Sequence, residues 1–318
     1  MTGNRSAYPL LISLANIQKD FRSKSSHGAY ILLALLPVVK FINHDKKLQT
    51  VLHNRLIHQC LDHILLPLKI AAQNSFLMSD PLGHQRLCFP VLASYTVDTP
   101  EAQLIAGVDS KSSPIMISHH KEFGDNYQHP LRTSSLTLEL IKCAQRKAVS
   151  PKLEDYLKEA CKLHLNGVDS PFWRDWRYVQ PCIFLTPEPL HHWHKQFWDH
   201  DRKWCIRILG SMEIDFRFII LKMLTGYRQF REGISKLKQV MGRDQQEVER
   251  YIVAVIVGGV PDGVILGIQY LMDFCYFGQA PILTSKTCGQ MLECLKAFHS
   301  HKDAIMEAKG HEIGRAHV

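Results

Sequence analysis

Asp98 is the residue best placed for chemistry. It closes the apolar, β-former-rich run Leu87–Val97, and Thr99, Pro100 and Glu101 follow at once. Two readings stand side by side. A carboxylate with a glutamate three residues on is the pattern of a helix N-cap and its capping box. A carboxylate held rigidly at a strand end is also what metal-dependent phosphoryl transfer requires. There, two ions about 3.5–4 Å apart activate a water and stabilise the leaving oxygen. One residue can fill both roles.

A second concentration runs from Pro171 to Leu209. All five tryptophans lie in it, at positions 173, 176, 193, 198 and 204. His191, His192, His194, His200, Glu188, Asp199 and Asp201 stand among them. From Leu190 onward, Leu190, Trp193, Phe197, Trp204 and Ile208 share roughly one helical face, the pattern of a core helix. His191 and His194 are three apart and could share a metal, but there is no H-E-x-x-H and no third ligand at a recognised spacing. Glu188 and Asp199 are the nearest acids in this stretch that could join Asp98.

A third group is basic. Between Arg202 and Arg250 there are 11 Lys and Arg against 6 Asp and Glu. Arg202 and Lys203 open it. Arg228, Arg231, Lys236, Lys238 and Arg243 then interleave with Tyr227, Phe230, Ile234, Leu237 and Val240. That mixture suits a nucleic-acid surface in which cations neutralise phosphates without reading sequence. A solvated helical face is the alternative. The whole chain carries a formal +8 with a pI near 9.0, which favours an anionic partner.

The elements that must position these groups are mostly helical. Asp45–Ser75 repeats apolar residues at i+4. Thr133–Ala148 and Leu153–Leu165 are amphipathic, with Gly167 read as the C-cap after the second. Gln245–Val257, Val264–Phe277 and Thr284–Lys309 are further helices, and Phe216–Leu224 is a helix or strand. Ser25 or Ser26 is expected to cap a helix that Pro37 later kinks. Strands are expected from residues 8–16 and 87–106. The nine cysteines include no C-x-x-C pair and are read as reduced intracellular thiols. Apolar runs such as Tyr30–Val39 are too short to span a bilayer, and no signal peptide opens the chain, so a soluble intracellular protein is expected.

Five ordered segments carry a family resemblance. They are GNRSAYPLLISLANIQKDFRSKSS from Gly3, CFPVLASYTVDTPEAQLIAGV from Cys88, SSPIMISHHKEFGDNYQHPLRT from Ser112, LTPEPLHHWHKQFWDHDRKWCIRIL from Leu185, and FREGISKLKQVMGRDQQEVERYIVAVIVGGVP from Phe230. Together they resemble Plavaka-type transposases, a branch of the CACTA-like DNA transposons of fungi. The resemblance implies a nuclear, DNA-binding enzyme that hydrolyses phosphodiesters at element ends and then transfers the strands. It implies a ribonuclease-H-like core using Mg2+ or Mn2+, with Asp98 as the second of three acids. The first acid is then expected before Gly3 and the third beyond Gly310. Ser113–Met116 stands where many members carry Cys-Pro-x-Cys, so a zinc knuckle is not supported there.

The expected fold is α/β and mostly helical, a partial ribonuclease-H-like core with a large helical insertion. Residues 1–110 would hold the core and 111–310 the helical part. Residues 311–318 are read as sequencing-adapter read-through, because Glu312–Val318 translates the start of a common adapter. The chain is therefore expected to be a truncated transposase, inactive alone, with DNA and a second copy as possible partners. The alternative is a non-catalytic relic acting as a DNA- or protein-binding helical module.

Overall fold

The computed structural model describes residues 6–222, 225–238 and 240–311, so the adapter-like segment 312–318 lies outside the described residues. The protein is α/β and about 53% helical, with two small sheets. It divides into two compact units. One holds residues up to Phe123 and Gln128–Thr186; the other holds Gly124–Tyr127 and the chain from Pro187.

The first unit begins with an antiparallel pair, β1 (Ala7–Ile12) and β2 (Ile31–Pro37), with a bulge between Leu10 and Leu11. The short helix α1 (Lys19–Arg22) lies between them. The helix expected after Ser25 is not formed. Ser25–His27 is a single 3-10 turn that ends at Gly28 with φ 58, and the apolar run then extends as β2. The eight-residue apolar run between Gly28 and Pro37 has strand length, and β1 supplies the pairing that sequence periodicity could not reveal.

Helices α2 (Lys46–Ile64) and α3 (Leu66–Asn74) follow. Asp45 caps α2 by accepting from the N–H groups of Lys47 and Leu48. The break at Leu65 comes two residues before Pro67, which has no N–H to give the His63 carbonyl and so cannot continue α2. A hairpin, β3 (Phe76–Ser79) with β4 (Gln85–Cys88), comes next. The long strand expected over residues 87–106 is replaced by three different pieces. Pairing with β3 stops at Cys88, since Pro90 has no N–H to offer. Residues 89–97 bear only an isolated parallel bridge from Tyr95 to Leu185. Thr99–Ala106 is a helix, α4, which stops at Gly107 with φ 80.

The rest of the first unit comprises α5 (Ser134–Lys147), α6 (Leu153–Lys162) and the turn-length α7 (Pro181–Phe184). Gly167 does not cap α6, whose C-cap is Leu163. It sits further on with φ +90, a conformation that favours glycine, and a Cβ there would also crowd Leu157 Cδ2 at 2.6 Å. Leu61, Ile105, Phe172 and Trp173 are wholly buried in the main core of this unit. A smaller cluster of Ile141, Ala144, Tyr156, Ala160 and Leu165 joins α5 to α6.

The second unit is helical. Two π-helical turns, Leu190–His194 and Phe197–Asp201, lead into α8 (Arg202–Leu209) and α9 (Ser211–Ile220). Helices α10 (Gly242–Ile256), α11 (Asp262–Gly278) and α12 (Ser285–Glu307) complete it. Phe197, Ile214, Phe218, Ile252, Ile256 and Ile268 form its core. The tryptophan-rich stretch is therefore not one element. Trp173 and Trp176 belong to the first core, while Trp198 belongs to the second.

His58 of α2 is buried in the first core with both ring nitrogens engaged. Nδ1 accepts from the N–H of Phe172 at 3.1 Å, and Nε2 donates to the carbonyl of Leu104 at 3.0 Å. Burial drives its pKa down to about 4, with only partial opposition from the Leu104 bond. Below pH 6.5 the unfolded chain takes up a proton that the folded chain refuses. Stability is therefore lost as pH falls from about 6.5 toward about 4, by roughly 3 kcal/mol in all. Urea unfolding followed by tryptophan fluorescence at a series of pH values is expected to show this slope, and His58→Gln to remove it.

Candidate active site and basic surface

Asp98 caps α4: its Oδ1 accepts the N–H of Glu101 at 3.0 Å. The first turn fits this start, because Pro100 needs no N–H donor there and Glu101 adds a negative charge at the positive helix end. Asp98 is exposed at its side chain and lines a broad cleft of about 1560 Å³ in the first unit. The strand β1, the extended segment 89–97 and the start of α4 contribute to the walls.

Glu101 is half-buried beside Asp98 and accepts a 3.4 Å bond from the Tyr95 hydroxyl. Burial, reinforced by the Asp98 charge, raises its carboxyl above the usual range. Burial and the same carboxylate push the Tyr95 hydroxyl up as well. Two acids thus meet at one rim of the cleft, and a cation there would relieve both the repulsion and the desolvation. The donor set is all oxygen, which suits Mg2+ or Mn2+. Among the described residues, Asp98 and Glu101 are not part of any cluster of three metal-ligating groups.

Glu188 and Asp199 belong to the second unit and serve its local structure. Glu188 accepts from the N–H groups of Leu190 and His191 at 2.8 and 2.7 Å and pairs with the His191 ring. Asp199 pairs with Lys195 at 2.7 Å and lies 3.9 Å from Lys203. His191 and His194 do not converge on a common point. His194 is buried: Gln246 donates to its Nε2 at 3.0 Å, so its Nδ1 donates to Glu249 at 2.6 Å. The fully buried Asp201 carboxyl is raised well above the usual range, by burial first and then by Glu249.

The basic residues separate into three kinds. Arg202 is buried, its guanidinium 3.9 Å over the Trp198 ring and bonded to the carbonyls of Trp198 and Ile234. It is a core brace, which corrects its placement on a nucleic-acid surface. Arg228 and Arg243 are tied to acids, at 2.6 Å to Asp244 and 3.3 Å to Glu247. Arg231, Lys236, Lys238 and Lys203 are exposed.

The segment carrying Arg228–Lys238 is a chain of turns, not the helical face considered from sequence. Asp215 of α9 organises it, accepting from the N–H groups of Ile234 and Ser235 at 2.7 and 2.8 Å. Gly233, with φ +76, lies where a Cβ would meet the Asp215 side chain at 2.3 Å. Sequence reasoning missed one grouping entirely: Asp109, His119 and His164 gather in the first unit although 55 positions separate the outer two.

Residues 1–205 match the family model of the Plavaka transposase. That span covers well over half of the 318 residues, and the chain belongs to the Plavaka transposase family. No curated protein and no solved structure matches it. Among the described residues, no helix is long and apolar enough to cross a membrane.

The cap and the charge of Asp98 are separable. Asparagine caps nearly as well as aspartate, whereas alanine cannot. Asp98→Ala is expected to cost about 1 kcal/mol of unfolding free energy, and Asp98→Asn only a few tenths. Urea midpoints of the two variants check this and identify Asp98→Asn as the clean probe of chemistry.

Proposed function

We propose that this chain is the DNA-handling part of a transposase, using its exposed cations to hold the phosphate backbone and Asp98 as one carboxylate of a metal-dependent cleavage site. The family match over residues 1–205 carries this reading. The finer reading of a ribonuclease-H-like core rests on the family match and on an acid at the end of an extended segment; the sheets themselves are two separate strand pairs. In such a core the acid at a segment end sits on rigid backbone, and here α4 fixes Asp98 through the cap bond.

Asp98, with Glu101 beside it, would hold Mg2+ or Mn2+ at the cleft rim. A bound ion of this kind polarises a phosphoryl oxygen and lowers the pKa of water. The contribution of the chain's own residues is positional. The cap leaves Asp98 Oδ2 outside the cap bond, and Tyr95 orients the Glu101 carboxyl. Complete two-metal chemistry requires further acids at the same point. On this reading the chain binds DNA but cleaves poorly unless those acids are supplied.

Arg231, Lys236 and Lys238 are the proposed phosphate contacts, since Arg228 and Arg243 already have carboxylate partners. A reading as a helical protein-binding module predicts no such affinity. Titrating duplex binding against salt decides between them. The expected plot of log K against log salt is linear, with a slope of roughly −0.9 per phosphate contacted. The Arg231→Ala/Lys236→Ala/Lys238→Ala variant is expected to make that slope shallower by about 2–3. Any Mn2+-dependent nicking is expected to vanish in Asp98→Asn while binding stays. Salt-independent or absent binding would leave the module reading in place.

A further inference from the structure

We infer that Asp109, His119 and His164 form a zinc site in the first unit, separate from the Asp98 carboxylate. Each offers one ligand atom, and these atoms all lie within 4.8 Å of one another. Asp109 Oδ2 is 3.1 Å from His164 Nδ1, and the His119 and His164 rings stand 4.6 Å apart. Zinc bonds of about 2.0–2.2 Å place tetrahedral ligand atoms about 3.4 Å apart. The Asp109–His164 pair already has that spacing. His119 needs to close by about 1.4 Å at most, within reach of side-chain rotation.

The backbone holds the three residues in place before any metal arrives. Asp109 N–H donates to the His164 carbonyl at 3.0 Å, fastening the end of α4 to the end of α6. Asp109 Oδ1 is occupied by the N–H of Lys111 at 3.0 Å and the Ser112 hydroxyl at 2.7 Å, which turns Oδ2 toward the histidines. Ser112 bridges to His119, and His120 N–H donates to Lys111 at 2.7 Å, so the loop bearing His119 is folded back on the one bearing Asp109. His164 adopts φ 57, a left-handed conformation uncommon outside glycine and held here by its surroundings.

The donor set points to a first-row transition ion, of which zinc imposes no d-electron geometry of its own. Two imidazoles and one carboxylate suit zinc, whereas Mg2+ and Ca2+ prefer all-oxygen cages. Three protein ligands leave the fourth tetrahedral position for water. His119 Nε2 lies 3.2 Å from His120 Nδ1, and the His119 ring also accepts the Glu122 N–H. Coordination through Nε2 moves the ring proton to the other nitrogen and exchanges that cap for a metal bond. The site would staple α4, the 110–122 loop and α6 together.

The test uses the whole chain, stripped of metal and titrated with Zn2+ against a chromophoric chelator. One zinc per chain is expected. His119→Ala and His164→Ala should each weaken it at least tenfold, while His63→Ala, outside the cluster, leaves it unchanged. Far-UV circular dichroism checks that the variants fold. Co2+ added to the unaltered chain gives a second readout that needs no variant: an intense visible spectrum is expected for tetrahedral coordination. The inference is overturned if the chain holds no zinc, if the double variant His119→Ala/His164→Ala holds it as tightly, if His63→Ala releases it, or if Co2+ gives only the weak octahedral spectrum.

Discussion

The first unit depends on one neutral imidazole. His58 spends both nitrogens on backbone groups from two distant parts of the chain, the Leu104 carbonyl of α4 and the Phe172 N–H that opens the tryptophan loop. Those groups are buried, and each would be costly to leave unpaired. The bridge draws α4 against α2, and Trp173 repeats the linkage by donating from its ring N–H to the Ile105 carbonyl at 2.7 Å. The buried Lys69 closes the same assembly from α3, reaching Asp62 of α2 and, at 2.5 Å, Asp175 of the tryptophan loop. With α4 fixed in this way, Asp98 is carried at its N-terminus and tied there by the cap bond to Glu101. The order of dependence runs from a buried histidine, through a helix, to an exposed carboxylate.

The second unit follows a related rule with acids in place of the imidazole. Asp215 gathers the N–H groups of the turn carrying Ile234 and Ser235. Glu247, itself buried, accepts the N–H of Arg228 at 2.8 Å. A basic segment that would repel itself is thereby pinned from beneath by carboxylates, while Arg231, Lys236 and Lys238 stay in solvent. On the proposed reading, this surface meets a polyanion through a few exposed cations on a braced loop.

Much of the helical architecture was legible in the sequence. Leu48, Leu52 and Leu56 mark α2 by spacing alone, and Thr284–Lys309 became α12 almost residue for residue. Asp98 was legible in its capping role because the cap bond is local. Non-local pairing was harder to read. The apolar run after Tyr30 is expected as helix from the sequence, and the β1 strand lying beside it makes it a strand instead. Arg202 looked like its basic neighbours, and only the placement of the Trp198 ring and the Ile234 carbonyl makes it a core residue. Asp109, His119 and His164 carry no local spacing signal, since the α4–α5 connection must fold back on itself and meet the turn after α6 to bring them together. The division of the tryptophan stretch between two cores was hidden for the same reason, although Pro187 and Pro189 stand at the boundary.

Family membership gives the chain its context, and the cleft is where the proposed chemistry is set. The central claim is that Asp98 and Glu101 form one wall of a divalent-cation site used on DNA. The most direct measurement is an anomalous difference map from crystals grown with Mn2+ and a short duplex. The account predicts a peak in coordination distance of Asp98 Oδ2, absent in Asp98→Asn crystals that still contain the duplex. Ordered DNA with no Mn2+ peak at Asp98, or a peak that persists in the variant, would contradict it.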